Sequence, residues 1–221
     1  MDLNQLVQTV AIYALPVLFA ITLHEAAHGY VARHFGDMTA YAQGRVRLNP
    51  TRHIDLVGTI IVPVLILVLS KLAGGAGLLF GWAKPVPVNY SALRRPRLHM
   101  MWVAAAGPGA NLAMALAWAA LFKATDVLPA SHLTQPMLLM AKAGIEVNVI
   151  LMLLNLLPIL PLDGGRIVAS LLPSRLAWRY AKLEPWGFPI LLLLLFTSAL
   201  GVILAPLISF SYRVIGTVFQ I

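Results

Sequence analysis

His24, Glu25 and His28 form an H-E-x-x-H pattern in the first part of the chain. On a helix the two histidines are i and i+4, so they lie on one face, about 6 Å apart along the axis. Two imidazoles in this arrangement can bind one Zn²⁺, and the adjacent glutamate can accept a proton from an attacking water. The spacing therefore predicts a metal site with a general base beside it.

The run that contains this pattern is otherwise apolar. Between Leu6 and Ala32, Glu25 is the only charged residue. Two histidines and a carboxylate in a membrane helix cost several kcal/mol unless they have partners, which favours a functional role. The alternative is that these side chains only form hydrogen bonds with neighbouring helices.

The composition is that of an integral membrane protein. Of the 221 residues, 60% are hydrophobic and 11% are charged, and the mean hydropathy is +0.84. These values exclude an ordinary soluble domain. The net charge of +8 comes from short basic clusters between apolar runs, as in cytoplasmic loops, so nucleic acid is not an expected partner. The absence of cysteine excludes disulfides and thiolate metal sites.

Four apolar runs predict helices that cross a hydrocarbon core of about 30 Å. The expected fold is an all-α polytopic membrane protein with main transmembrane helices at Leu6–His34, Met100–Phe122, Met137–Leu157 and Phe188–Leu204. Asp2 stands where a signal peptide would have a basic region, so we expect the first helix to be retained. Residues 1–221 are expected to form a single domain.

The connection between the first two of these helices is less regular. Leu56–Phe80 is interrupted at Gly74–Gly77 and predicts a re-entrant segment or a helical hairpin. Gly44–Asn49 alternates basic and apolar residues, and Trp82–Asn89 contains two prolines at alternate positions. The first segment predicts a half-exposed strand, and the second predicts an edge strand or a polyproline-like segment. Together they predict a small β-element. His53 is either a metal ligand or a solvated histidine, and the sequence leaves both open.

Four more polar residues lie in or beside the later helices. Asn111 follows small residues that permit close helix approach, and it favours a hydrogen bond between helices. Asn148 and Asn155 are seven residues apart and lie on one helix face. Asp163 follows in a turn rich in proline and glycine. There it is either a third metal ligand or the N-cap of the next helix.

Taken in order, three motifs resemble those of the site-2 protease family of intramembrane zinc metalloproteases. They are His24-Glu25-x-x-His28, Gly107-Pro108-x-x-Asn111, and Asn155-Leu156-Leu157-Pro158 leading to Leu162-Asp163-Gly164. Their order and spacing agree with the family, and the resemblance covers most of the chain. The stretch Gly81–Asn89 is similar to the small members, which lack an inserted PDZ domain and an appended nucleotide-binding module.

The resemblance implies hydrolysis of peptide bonds within or near transmembrane segments of membrane proteins. By the same resemblance, the two histidines and Asp163 bind one Zn²⁺ per chain, and Glu25 is the general base. Asn155 would donate a hydrogen bond to the substrate or to the tetrahedral intermediate, and Asn111 would help to position substrate. The expected partners are a transmembrane protein and the lipid bilayer. An unwound substrate segment would pair with the β-element by β-addition.

A second hypothesis is a zinc-binding membrane protein without catalysis, acting as a binding factor or a metal carrier. Glu25 argues against it, because a site that only binds metal does not need a carboxylate beside the first histidine. A carrier should also have polar residues along several helices, whereas here they converge at one depth.

Depth along the helices also predicts topology. For the three ligands to meet, the first helix and Met137–Leu157 must run in the same direction, with Met100–Phe122 opposite to both. The chain between Arg33 and His99 then crosses an even number of times. This arrangement collects most arginines and lysines on one side, leaving chiefly Lys123 and Lys142 opposite. The positive-inside rule then predicts an N-terminus outside a prokaryotic cell membrane and a zinc site towards the cytoplasm.

Overall fold

The computed structural model describes residues 3–47, 84–127 and 131–221, together with the single residues Asn49, Ile61, Leu65 and Pro129. The α-helices in this part of the chain are α1 (Leu3–His34), α2 (Thr39–Ala42), α3 (Pro96–Ala124), α4 (Thr134–Asn155), α5 (Asp163–Leu171), α6 (Ser174–Ala181), α7 (Glu184–Phe196) and α8 (Ala199–Phe219). Single 3₁₀ turns lie at Tyr90–Ala92 and Thr125–Val127.

Within the part of the chain that the structure describes, four stretches are helical, long and apolar enough to span a membrane, as predicted. They are Val7–His34, Pro96–Val127, Thr134–Asn155 and Ala199–Phe219. The predicted bounds of the last crossing, Phe188–Leu204, are wrong. The chain turns between α7 and α8, where Ser198 has a left-handed φ of +60°. Thr197 and Ser198 are the only polar residues between Phe188 and Leu204, and neither is a glycine or proline that would mark a turn.

Contacts between α1 and α3 show that these two helices are antiparallel. The Nδ1 atom of His28 lies 2.6 Å from the carbonyl oxygen of Val103. One turn earlier on α1, the Nδ1 atom of His24 lies 2.6 Å from Oδ1 of Asn111. Residue numbers therefore rise along one helix as they fall along the other.

Helix α4 is antiparallel to α3 and so parallel to α1. Asn111 of α3 donates a hydrogen bond to Oδ1 of Asn148 on α4, at 3.0 Å. Further along α3, the ring of Trp118 packs against Gly144, which precedes Asn148 on α4. The helix directions predicted from the ligand depths are thus present in the bundle.

The end of α1 and the start of α3 also lie together. The backbone N–H of Arg94 donates to the carbonyl oxygen of Phe35 at 3.1 Å. The predicted hairpin at Leu56–Phe80, apart from the single residues Ile61 and Leu65, lies outside the described residues, and so does His53.

The predicted β-element is absent from the residues that the structure describes, which include no strand. Gly44 has a φ of +65°, and the N–H of Arg45 bonds back to Ala40, so this segment begins as a turn. The chain around Val86 is extended but pairs with no strand among the described residues. Its amide and that of Asn89 instead donate to the carboxylates of Glu25 and Asp37. Two backbone N–H groups that β-addition would need are therefore already bonded to side-chain carboxylates.

Close packing of α3 on α4 depends on Gly144, which is buried. A Cβ atom at this position would lie 2.3 Å from the indole ring of Trp118. Small residues at such contacts let membrane helices approach, since packing is the main force between them.

We therefore predict that Gly144→Ala destabilises the bundle by about 1–3 kcal/mol, because a rigid indole must move to admit the methyl group. Thermal unfolding in detergent measures the change. Gly201→Ala in α8 is the control, since a Cβ there meets nothing within 4 Å. Equal melting temperatures for the two variants would contradict the prediction.

Candidate metal centre

Three side chains that the sequence singled out converge on one point. The Nε2 atoms of His24 and His28 lie 3.2 Å apart. Oδ2 of Asp163 lies 3.2 Å from the first and 3.4 Å from the second. All three residues are buried, each with 8% of its surface exposed. Among the described residues this is the one group of three or more His, Asp or Glu side chains that could hold a metal ion.

The approach of α3 to this point requires Gly107. A Cβ atom there would lie 2.4 Å from Nε2 of His28 and 2.5 Å from Cε1 of His24. The glycine thus lets the α3 backbone approach the Nε2 and Cε1 atoms of the imidazoles, close to the point where the three side chains converge. This explains why a glycine precedes Asn111 by one helical turn.

Asp163 reaches the histidines because α5 folds back onto the turn that follows α4. The two glycines after it have no room for a side chain. A Cβ on Gly164 would lie 2.2 Å from the carbonyl oxygen of Leu156, and one on Gly165 would lie 2.5 Å from the backbone nitrogen of Leu160. The Asp-Gly-Gly sequence is therefore a packing requirement of this turn.

The alternative role of Asp163 as an N-cap is wrong. Asp163 is the first residue of α5, and the N-cap position is held by Leu162 without a side-chain hydrogen bond. Its carboxylate instead faces the Nε2 atoms of His24 and His28, and a carboxylate is a usual ligand of zinc.

Hydrogen bonds at the Nδ1 atoms of the two imidazoles determine which nitrogen of each ring faces the centre with a lone pair. Nδ1 of His28 lies 2.6 Å from the carbonyl oxygen of Val103, which can only accept a hydrogen bond. Nδ1 of His24 likewise lies 2.6 Å from Oδ1 of Asn111. Protons on both Nδ1 atoms leave the lone pairs of the neutral rings on Nε2, facing Asp163.

This donor set fits zinc. Ligand atoms about 2.0–2.1 Å from a tetrahedral zinc lie about 3.3 Å from one another, close to the three distances observed here. In addition, Oδ2 of Asp163 is buried and makes no hydrogen bond within the described part of the chain. A buried anionic oxygen without a donor needs a cation. Two histidines and one carboxylate also leave a fourth position open, as in catalytic zinc sites.

Glu25 follows His24 on α1, and its carboxylate is held by a residue from outside the centre. Its Oε2 atom accepts a hydrogen bond from the backbone N–H of Val86 at 2.8 Å. The side chain of Val86 packs over Gly29, one turn further along α1. The extended segment after Pro85 therefore orients the carboxylate, a role that its strand-like sequence did not indicate.

The two remaining predicted site residues differ in their surroundings. Asn111 is fully buried behind His24, and its amide group also donates to the carbonyl oxygen of Ala20. Its side chain has no exposed surface in this structure, and its predicted contact with substrate stays a prediction. Asn155 is half-buried at the C-terminal end of α4, and its amide donates to Leu151 within the same helix at 3.0 Å.

Sequence reasoning missed several residues that build the site. The carbonyl of Val103 carries no side-chain signal at all. The role of Gly107 was visible only as a general preference for small residues. Asn148 was noted for its helix face but not for its bond to Asn111, and Asp37, which anchors Asn89, gave no signal.

A membrane-embedded helical bundle with two histidines and an aspartate around one point has the architecture of a membrane metalloenzyme. Comparison with known proteins agrees. The family model of peptidase family M50 matches residues 126–198. "Putative zinc metalloprotease YwhC" of Bacillus subtilis (strain 168) is 36% identical over 204 residues, which cover 88% of this chain and 84% of that protein.

Two mycobacterial proteins, both printed as "Putative zinc metalloprotease Rip2", are also similar. The one from Mycolicibacterium smegmatis is 31% identical over 188 residues, covering 83% of this chain and 66% of that protein. The one from Mycobacterium tuberculosis (strain H37Rv) is 33% identical over 172 residues, covering 76% and 54%. No solved structure matches the chain. The chain belongs to peptidase family M50, the site-2 proteases, and is a zinc metalloprotease.

The packing at Gly107 gives a direct test of the centre. We predict that Gly107→Ala weakens zinc binding by roughly 10-fold or more, because the methyl group displaces imidazoles that must converge. Zinc affinity is measured by competition with a chelator. Gly109→Ala in the same helix is the control, since its Cβ meets nothing within 4 Å. Unchanged affinity in the Gly107 variant would show that the centre tolerates displacement of both rings.

Proposed function

We propose that this protein hydrolyses peptide bonds within or near the transmembrane segments of membrane proteins. The observation that carries the proposal is the position of the buried histidine and aspartate side chains inside a bundle of apolar helices. A site enclosed in this way is shielded from the soluble peptides around the membrane. A substrate segment in the bilayer has the shortest route to it.

We further propose that His24, His28 and Asp163 bind one zinc ion per chain. When bound, zinc supplies Lewis-acid chemistry: it lowers the pKa of a bound water towards about 7 and polarises a carbonyl. The ligands come from α1 and α5, and α3 supports both histidines from behind. That division of one site over the described helices supports a single domain for residues 1–221.

Glu25 is proposed as the general base. It follows His24 directly on α1 and is not one of the three side chains that converge. With Oε2 bonded to the Val86 amide, the other carboxylate oxygen can accept the proton of the attacking water. The proton then passes from Glu25 to the amine of the leaving peptide.

Asn155 is proposed to contact the substrate. It is not fully buried, and its hydrogen bond to Leu151 is a local one that a substrate carbonyl can replace without breaking the helix ladder. An amide donor aimed at the developing negative charge would then stabilise the tetrahedral intermediate.

The decisive test separates catalysis from zinc binding. Glu25→Gln should retain wild-type zinc but abolish cleavage, because an amide keeps the shape of the carboxylate and cannot accept a proton. Asp163→Ala is the comparison, and it should lose both zinc and cleavage. Zinc content is measured on purified protein. Cleavage is measured by mass spectrometry of the membrane fraction, in which uncut substrates accumulate in cells that carry either variant.

Two outcomes would count against this assignment. Cleavage near the wild-type level in the Glu25 variant would exclude Glu25 as the base. Full, tightly held zinc in the Asp163 variant would remove Asp163 from the ligand set while leaving the protease assignment intact.

We also propose an orientation in a prokaryotic cell membrane, with the N-terminus outside and the zinc site towards the cytoplasm. The basic residues at the end of α1 and the start of α3 lie on one side of the bundle with the end of α5, where Arg97 donates to the carbonyl of Ser170. At the opposite side, Lys123 donates to the carbonyl of Gln220. The positive-inside rule assigns the more basic side to the cytoplasm.

Single cysteines test this orientation, because the native chain has none. Ser91, Ser131 and Ser174 are exposed, and serine to cysteine is a small change. We predict that a thiol reagent unable to cross the membrane labels only Ser131→Cys when applied outside intact cells. Permeabilised cells, in which all three should react, are the control. Labelling at position 91 or 174 from outside would overturn the proposed orientation.

A further inference from the structure

A chain of hydrogen bonds leads away from the metal centre through three helices. It begins at Nδ1 of His24, which lies 2.6 Å from Oδ1 of Asn111 on α3. The Nδ2 atom of Asn111 then donates to Oδ1 of Asn148 on α4 at 3.0 Å. Finally, Nδ2 of Asn148 donates to the carbonyl oxygen of Gly144 at 2.8 Å. Both asparagines are fully buried, with 0% of their surface exposed.

The donors and acceptors in this series of hydrogen bonds can be assigned in only one way. An asparagine amide offers donors on one side and an acceptor on the other. The carbonyl oxygens of Gly144 and Ala20 can only accept, so the NH₂ groups of Asn148 and Asn111 must face them. Oδ1 of Asn111 then faces His24, and Nδ1 of His24 must carry the proton.

We propose that Asn111 and Asn148 are positioning residues that fix the tautomer and ring orientation of His24, so that its Nε2 lone pair faces the metal. The inference rests on the proposed function, because it takes His24 to be a zinc ligand. It assigns a role to Asn148, which no motif of the sequence indicated. It also gives Asn111 a role other than contact with substrate.

The two histidines are held in different ways. Nδ1 of His28 donates to the backbone carbonyl of Val103, which no side-chain substitution removes. His24 depends on side chains alone. Substitutions at positions 111 and 148 should therefore act on one ligand of the centre and leave the other in place.

A structural role for the same asparagines makes a different prediction. Buried amides that join helices contribute to folding, and their loss would lower the stability of the zinc-free protein. It would not change the affinity of a folded protein for zinc. Loss of a hydrogen bond that orients a metal-bound histidine typically weakens metal binding by roughly 10- to 100-fold.

The experiment measures zinc affinity by chelator competition, and thermal unfolding of the zinc-free protein in detergent, for a set of variants. Asn111→Leu removes the acceptor of His24 and should weaken zinc binding by roughly 10- to 100-fold. Asn148→Leu leaves Ala20 as one partner of Asn111, so it should weaken binding less. Asn111→Asp loses the amide donors but keeps an oxygen for Nδ1 of His24, so its affinity should stay above that of Asn111→Leu.

Tyr13→Phe is the matched control. The hydroxyl of Tyr13 donates to Glu146 at 2.8 Å and joins α1 to α4 away from the metal centre. Its loss should affect stability alone and leave zinc affinity unchanged. His24→Ala is included because it tests the ligand assignment itself.

The outcomes distinguish failure of the proposed zinc ligands from failure of the positioning role alone. If His24→Ala retains full zinc affinity, the proposed ligand set fails. If His24→Ala loses zinc while Asn111→Leu and Asn148→Leu bind it as tightly as wild type, the positioning role alone is overturned. If Asn111→Leu does not fold, the order of affinities wild type, Asn111→Asp and Asn148→Leu decides: equal values reject the inference.

Discussion

The structure depends on one electrostatic constraint, the meeting of an ionised carboxylate with two imidazole lone pairs inside an apolar bundle. Asp163 and the histidines approach within 3.4 Å of one another. Such a group is stable only with a cation, since burial removes the water that would otherwise solvate the charge. The requirement brings α1 and α5 together although more than a hundred residues separate their ligands in the chain. It also dictates that α3 pass close to the imidazoles.

The helix packing follows from this constraint. Gly107 on α3 and Gly164 on α5 stand where any side chain would collide with a ligand or with the turn that carries one. In membranes, small residues generally serve close packing. Here the same property also determines how the histidine side chains are oriented, because the backbone approach places the carbonyl oxygen of Val103 and Oδ1 of Asn111 2.6 Å from their Nδ1 atoms. A change in the packing of α3 against the centre would therefore also change the orientation of the histidine side chains.

Each polar group at the site is oriented by a different kind of partner. His28 is bonded to a backbone carbonyl, His24 to a side-chain amide, and Glu25 to the backbone N–H of Val86. The last contact involves an extended segment whose sequence is typical of an edge strand. Two of its N–H groups donate to carboxylates, of Glu25 and of Asp37. The segment therefore orients the proposed base, and its amides at these positions are not free to bind a peptide.

The sequence alone determined the chemistry and the class of fold. The helical spacing of His24 and His28, the lone acidic Glu25 in an apolar run and the later Asp163 identified the centre, because charged groups are too costly in a membrane to occur there by chance. Ligand depths also gave the relative directions of α1, α3 and α4. Tertiary structure alone decided the rest. The turn at Ser198 depends on a left-handed backbone conformation that no glycine or proline at that position indicates. The sequence pattern of Trp82–Asn89 could not reveal that backbone N–H groups in this segment bind carboxylates. The partners of the histidines, Val103, Asn111 and Asn148, lie on other helices, so only the packing of the bundle brings them into contact.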